Sequence, residues 1–244
     1  MKIGIIGAGN IGTTLARKLA ACGHEVKLAN SKGPQSIQSL ANEISVNAVT
    51  KEDAVSGVDV VILSIPFANY PDLKQTLADV PEKTVVIDTS NYYPGRDGTI
   101  KEVDEGKPES VWVSEQIGRP VVKAWNAVLA ATLANKGAPA ESSTRIAIPV
   151  AGNDPHAEAL AQDLVEDTGF TALAADSLED SWRQQPGTPA YCTELTLPEL
   201  KAALNAADKS RAPQNRDALI EKFMAPGSQF THEQIVATNR AMTA

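Results

Sequence analysis

Two rhythms of apolar residues alternate along roughly the first 180 positions. Short unbroken apolar runs recur, each closed by glycine, proline or a small polar residue. Between them lie longer stretches whose apolar positions fall three and four apart. Unbroken runs of this kind suit strands buried on both faces, and the three-to-four spacing suits helices with one buried stripe. The strand segments are "KIGIIGA", "EVKLAN", "NAVT", "VDVVILSIP", "KTVVIDTSN", "RPVVKAWNA", "IAIPVAG" and "FTALAADS". The helical segments are "IGTTLARKLAAC", "PQSIQSLANEI", "KEDAVSG", "YPDLKQTLADV", "SVWVSEQIG" and "DPHAEALAQDLVEDTG", and "YYPGRDG" reads as a loop. Gly23 and Gly169 sit where helices should stop, and Asp154-Pro155 pairs a capping side chain with a proline at the first helical position. Strands alternating with helices in this way predict a doubly wound, mostly parallel α/β sheet covered on both faces.

The pattern changes towards the C-terminus. After Glu194 the segments "LPELKAALNAAD", "NRDALIEKFMA" and "HEQIVATNRAM" are helical, with little strand signal. The predicted division is an α/β domain over 1–180 and a loop with a helical extension over 181–244, packed on the sheet or on a partner subunit. Apolar positions Leu200, Leu204, Ile220 and Phe223 on these helices lead us to expect a homodimer.

Composition narrows the classes. A chain of 244 residues with 43% hydrophobic residues has ample core. A net charge of −8 without a basic run argues against nucleic acid as a partner. No apolar stretch is long enough to span a bilayer, so no membrane association is expected. Two cysteines, Cys22 and Cys192, do not make a disulfide framework, and the expected setting is cytoplasmic. Three scattered histidines, His24, His156 and His232, have no ligand spacing, and no metal is expected.

The chemistry begins at Gly7-Ala8-Gly9-Asn10-Ile11-Gly12, which follows a strand and opens a helix. In that context G-x-G-x-x-G is the fingerprint of a Rossmann-type dinucleotide site. The first glycine makes the turn, the second admits the pyrophosphate and the third lets helix and strand approach. The end of the second strand selects the cofactor. An acid there would bind the ribose 2′-hydroxyl of NAD, whereas this chain has Asn30, Ser31 and Lys32, two hydrogen-bonding side chains and a cation suited to the 2′-phosphate of NADP. Ligands of such sheets lie beyond the carboxyl ends of the strands. Those ends carry Ser64-Ile65-Pro66, then Asp88 with Tyr93 downstream, then Lys123-Ala124-Trp125-Asn126. Lys123, Asp88 and Tyr93 are the candidate catalytic groups. Each also has a plain structural reading as a strand-end charge, a turn cap or a packed ring. Arg183, Gln184 and Gln185, in "SWRQQPGTPAY", are candidate polar anchors or parts of a surface linker.

The ordered set "IGIIGAGNIG", "HEVKLANSKG", "VVILSIPF", "VVKAWNA" and "IPVAGNDP" resembles the NADPH-dependent oxidoreductases of the coenzyme F420-dependent type, over about residues 1 to 180. The family includes F420:NADP oxidoreductase and the related reductase domains of transmembrane ferric reductases, and the chain also resembles the pyrroline-5-carboxylate reductase catalytic domain. The resemblance implies NADP on Gly7, Gly9, Asn10, Ile11 and Gly12, its 2′-phosphate near Asn30, Ser31 and Lys32, and the nicotinamide against Ser64, Ile65, Pro66 and Ala124, Trp125 and Asn126. It also implies hydride exchange with a second ring, coenzyme F420 or a flavin. The alternatives are reduction of a small carbonyl or imine, which would need a proton donor, and an NADP(H)-sensing module without turnover.

Overall fold

The computed structural model describes residues 1–244. Eight strands form: β1 (Lys2–Ile6), β2 (Glu25–Ala29), β3 (Asn47–Ala48), β4 (Val60–Leu63), β5 (Val85–Asp88), β6 (Val122–Lys123), β7 (Ala147–Val150) and β8 (Thr171–Ala174). The helices are α1 (Asn10–Ala21), α2 (Gln38–Glu43), α3 (Lys51–Val55), α4 (Lys74–Leu77), α5 (Pro94–Asp97), α6 (Lys101–Asp104), α7 (Glu109–Ile117), α8 (Ala130–Asn135), α9 (Pro155–Asp167), α10 (Leu197–Ala206), α11 (Ala212–Met224) and α12 (His232–Thr243). Every apolar run identified above contains one of these strands.

The first six strands are all parallel and lie in the order β3-β2-β1-β4-β5-β6, the doubly wound dinucleotide-binding order. The order reverses between β1 and β4, and that switch point is where a ligand crevice opens. A parallel pair, β7 and β8, extends the β6 edge through an antiparallel bridge between Lys123 and Ala151. No helix is long and apolar enough to cross a membrane.

The pleat sends alternate side chains to two cores. Ile3, Ile5, Val26, Leu28, Val60 and Ile62 pack under Leu15 and Leu19 of α1 and Leu164 and Val165 of α9. Ile6, Val61, Leu63 and Val86 pack on the other face with Phe67, Tyr70, Leu77, Trp112 and Val113. The N-terminus of α9 forms as its sequence predicts, with the Asp154 carboxylate accepting from the His156 and Ala157 amides at 2.8 and 3.0 Å.

Two local expectations change. The helix expected over "YPDLKQTLADV" is a 3-10 segment, Phe67–Leu73, followed by the single turn of α4. Pro71 lacks the amide a continuous α-helix would use there. The loop "YYPGRDG" contains the turn α5, started by Pro94 and pinned where the Tyr93 amide donates to the Asp97 carboxylate at 2.9 Å.

The tail packs on its own chain. Leu200, Ala203 and Leu204 of α10 lie against Ala147 and Ala151 of β7 and its end. The faces of Leu200 and Leu204 that suggested a partner subunit are therefore covered within the chain, whereas Ile220 and Phe223 stay partly exposed. Polar contacts dock α12. The Asn239 amide donates to the Cys192 carbonyl at 3.1 Å, and Arg240 donates to the carbonyls of Thr193 and Glu194 at 2.6 and 2.7 Å. The Glu194 carboxylate accepts from Thr132, meets His232 and bridges to Lys136 at 2.6, 2.6 and 2.8 Å.

Candidate active site

The three glycines of the β1–α1 turn do different work, and the space around each shows why. Gly7 sits at φ +116°, and a Cβ there would lie 2.0 Å from the Ser64 carbonyl oxygen. Its amide instead donates to the Ala29 carbonyl at 2.8 Å, tying the turn to β2. A Cβ on Gly12 would lie 1.9 Å from the Gly7 carbonyl oxygen, so only glycine lets α1 start this close to the strand. Gly9 has an ordinary extended backbone, φ −80° and ψ −172°, and a Cβ there would meet nothing within 4 Å. Neither packing nor backbone strain requires glycine at position 9. The open volume over Gly9 is the approach a pyrophosphate needs, and no side chain caps the N-terminus of α1 beneath it.

A cleft of about 930 Å³ opens on this turn. Gly7, Ala8 and Gly9 form its floor, Asn30, Ser31 and Lys32 one end, and Ser64, Ile65 and Pro66 the wall at the end of β4. Ser31 and Lys32 are exposed. Asn30 is already engaged: its carbonyl accepts from the Lys32 amide at 3.1 Å and its amide donates to the Ser36 hydroxyl at 2.8 Å. The Ser36 hydroxyl is engaged as well, donating to the Gly33 carbonyl at 2.7 Å, so Asn30 and Ser36 shape the loop and leave Ser31 and Lys32 as the groups free to meet a phosphate. Thr50, Lys51, Glu52, Asn69 and Asp72 complete the lining. None of these was legible as a site residue, because the start of α3 and the 3-10 segment after Pro66 reach the cleft only through the tertiary fold. Glu43, the nearest acid along the sequence, faces Arg17 at 3.5 Å instead.

The strand ends further along the sheet depart from expectation. Asp88 and Lys123 have no exposed surface. The Lys123 ammonium lies 3.7 Å from Asp88 and 3.4 Å from Glu109, and it also meets the Ser110 hydroxyl at 2.9 Å and the Ser90 carbonyl at 3.2 Å. Asp88 accepts from Tyr70, from the amide and hydroxyl of Ser90, and from Ser110, at 2.5, 2.9, 2.7 and 2.6 Å. Every polar valence is used inside the protein, so neither group presents a proton to the cleft. They form a buried charge cluster that pins β5, β6 and α7 together. Burial pushes the Glu109 carboxyl up to about 7, with the Lys123 ammonium opposing that shift.

Ala124, Trp125 and Asn126 are likewise buried, and none lines the cleft. Trp125 has φ +57°, a left-handed conformation rare for a bulky residue, and its indole N–H points into the core towards the Thr168 hydroxyl at 3.3 Å. The Asn126 side chain joins Asn91 and Gln184. Its amide donates to Asn91 Oδ1 at 3.0 Å and to the Gln184 carbonyl at 2.8 Å, and Gln184 donates back at 2.8 Å. Gln184 is thus an internal anchor holding the 181–191 loop to the end of β6. Arg183 lies over Trp182 and donates to the Leu204 carbonyl at 3.2 Å, on the tail side. Tyr93, the third catalytic candidate, meets the Tyr191 hydroxyl at 2.5 Å, and burial holds both phenols above their usual range. Tyr191 had no local signal, since its partner lies 98 positions away.

The strand order, the glycine turn and the cleft at the switch point define an NAD(P)-binding Rossmann domain. Comparison with known proteins agrees. The profile of a family described as NADP oxidoreductase, coenzyme F420-dependent, matches residues 2–92. The protein YjhV of Escherichia coli K12 is 36% identical over 104 residues, which cover 43% of this chain and 76% of YjhV. The crystal structure of protein SMa0349 from Sinorhizobium meliloti superposes with a TM-score of 0.69 at 31% identity, covering 80% of this chain and 95% of that one. A protein of Arthrobacter sp. FB24, proposed to be an F420-dependent NADP-reductase, superposes with a TM-score of 0.59 at 22% identity, covering 73% of this chain and 86% of the other, a likeness of fold. The chain belongs to the NADP oxidoreductase, coenzyme F420-dependent, family, and is an NAD(P)-dependent oxidoreductase by that membership.

Proposed function

We propose that the protein exchanges hydride between NADP(H) and a second ring cofactor, coenzyme F420 or a flavin. The observation that carries this reading is the single cleft joining the open face of Gly9, the exposed Ser31 and Lys32, and the Ile65-Pro66 wall. Gly7, Gly9 and the uncapped start of α1, at Asn10, Ile11 and Gly12, take the pyrophosphate through backbone N–H groups. Ser31 and Lys32 favour a 2′-phosphate by hydrogen bonding and charge. Ile65 and Pro66 provide an apolar wall, and Pro66 contributes no N–H there. When bound, the nicotinamide supplies the hydride, and the protein supplies position and electrostatics. Ring-to-ring hydride exchange needs no proton donor in the cleft, which suits the enclosure of Lys123 and Asp88. The test is NADPH oxidation with coenzyme F420, FMN, FAD and quinones as acceptors. Turnover with a ring acceptor supports the reading, and tight NADPH binding without turnover would make the protein a sensor.

A second reading, reduction of a small carbonyl or imine, draws support from Tyr93 and Tyr191. Both phenols stay protonated near neutrality and can act as donors. Turnover of carbonyls but not of flavins, abolished in Tyr93→Phe, would favour it. We also propose a homodimer through the tail, now restricted to the patch of Ile220, Phe223, Met224 and Phe230, where Met224 is 77% exposed and the two phenylalanines pack edge-on at 5.2 Å. A monomer mass in solution scattering would refute it.

A further inference from the structure

A second, smaller cavity of about 60 Å³ lies between the 181–191 loop, α7 and the start of α11. Lys107, Lys209 and Arg216 all line it, in a chain whose net charge is −8. Trp182, Gln185 and Glu109 complete the side chains that matter. The three cations are not equally committed. Lys107 bridges to Glu115 at 2.5 Å and Arg216 to Asp217 at 2.7 Å. Lys209 has no carboxylate partner, and its ammonium lies 5.7 Å from the Trp182 ring centre.

The decisive feature is the Gln185 side-chain nitrogen. It is buried and donates to nothing in the protein, although buried donors are almost always paired. The start of α11 supplies wall rather than donors, since the Ala212 amide is used by the Asp208 carbonyl at 3.1 Å and Pro213 has none. An orphaned donor beside one ammonium without a carboxylate partner calls for an acceptor carrying negative charge. The volume corresponds to about two waters, which is also about the room one tetrahedral oxyanion needs. Burial raises Glu109 to about 7, so near neutrality it carries a proton part of the time and weakens the positive field less than a surface carboxylate would.

We propose that this cavity binds a small oxyanion, with a phosphate group as the ligand class that its size and donors fit. Gln185 donates to one oxygen, and Lys209, Arg216 and Lys107 balance the charge. The site is separate from the cofactor cleft and shares no residue with it.

The test is titration of the full chain with inorganic phosphate at matched ionic strength, followed by calorimetry and by the intrinsic tryptophan fluorescence, to which Trp182 contributes beside Trp112 and Trp125. The variants are Lys209→Glu and Gln185→Leu, with Lys32→Asp as the control for phosphate entering the cofactor cleft. Lys209 is exposed, so its replacement leaves the fold intact, and circular dichroism checks that for both. Saturable binding, weakened at least tenfold in Lys209→Glu and in folded Gln185→Leu but unchanged in Lys32→Asp, supports the site. No saturation by about 10 mM phosphate overturns it. So does equal binding by Lys209→Glu, or a loss seen only in Lys32→Asp.

Discussion

Replacing Gly9 with alanine separates cofactor binding from folding more sharply than any other change in the turn. Position 9 has extended dihedrals open to any residue, and a Cβ there meets nothing within 4 Å. Two small effects on the empty protein oppose each other. Alanine lowers unfolded-chain entropy, a gain of about 0.4–1 kcal/mol. It is also a poorer N-cap than glycine by about the same amount. The net change is within about 0.5 kcal/mol, which moves the melting temperature of a chain this size by no more than ~2 °C. Binding behaves differently, because the methyl group occupies the space over which the pyrophosphate meets the start of α1. Losing one or two charge-assisted hydrogen bonds costs about 3 kcal/mol, or ~100-fold in Kd. Gly12→Ala provides the contrast. Its Cβ would sit 1.9 Å from the Gly7 carbonyl oxygen, so the helix must move and the protein melts at least several degrees lower even without ligand. Thermal melts with and without NADPH, paired with calorimetric titration, read both quantities. A Gly9→Ala protein that melts normally and binds NADPH like the wild type would refute the reasoning.

Other expectations follow from the same geometry. Lys32→Asp should weaken NADPH at least tenfold and NADH by no more than a few-fold in parallel titrations, and equal losses would mean Lys32 does not meet the 2′-phosphate. Lys123→Met leaves Asp88 and Glu109 buried without their cation, so it should cost about 3–5 kcal/mol of stability. A Lys123→Met protein that melts normally and loses only turnover would restore the lysine to catalysis. Glu109 has a folded-state pKa raised from 4.5 to about 7, so its native form holds a proton more tightly than the unfolded chain does. Its contribution to stability is therefore complete below about pH 4.5 and declines as pH rises to about 7. Relative to Glu109→Gln, the wild type should lose stability across that window in urea titrations, and parallel curves would contradict the assignment.

The strands were legible because each is an apolar run with a hard stop, and the glycine turn because its spacing falls between a strand and a helix. What the sequence hid was long-range. Lys123 ends an apolar strand, and nothing near it in the chain shows that Asp88, Ser90, Glu109 and Ser110 converge on its ammonium. Trp125 could have faced a ring pocket or the core. A left-handed backbone, which no local pattern announces for tryptophan, turned it to the core. Asn30 carried the right donors for a phosphate, yet the turn it closes with Lys32 and Ser36 uses them. The tail helices were visible as helices, but their docking depends on Glu194 meeting Thr132, Lys136 and His232, contacts set by the fold.

Calorimetric titration of the purified protein with NADPH and with NADH tests the central claim most directly. The account predicts saturable binding of both, with NADPH at least tenfold tighter through Ser31 and Lys32. Binding of neither would reduce the glycine turn to a structural feature, and tighter binding of NADH would contradict the reading of the β2 end.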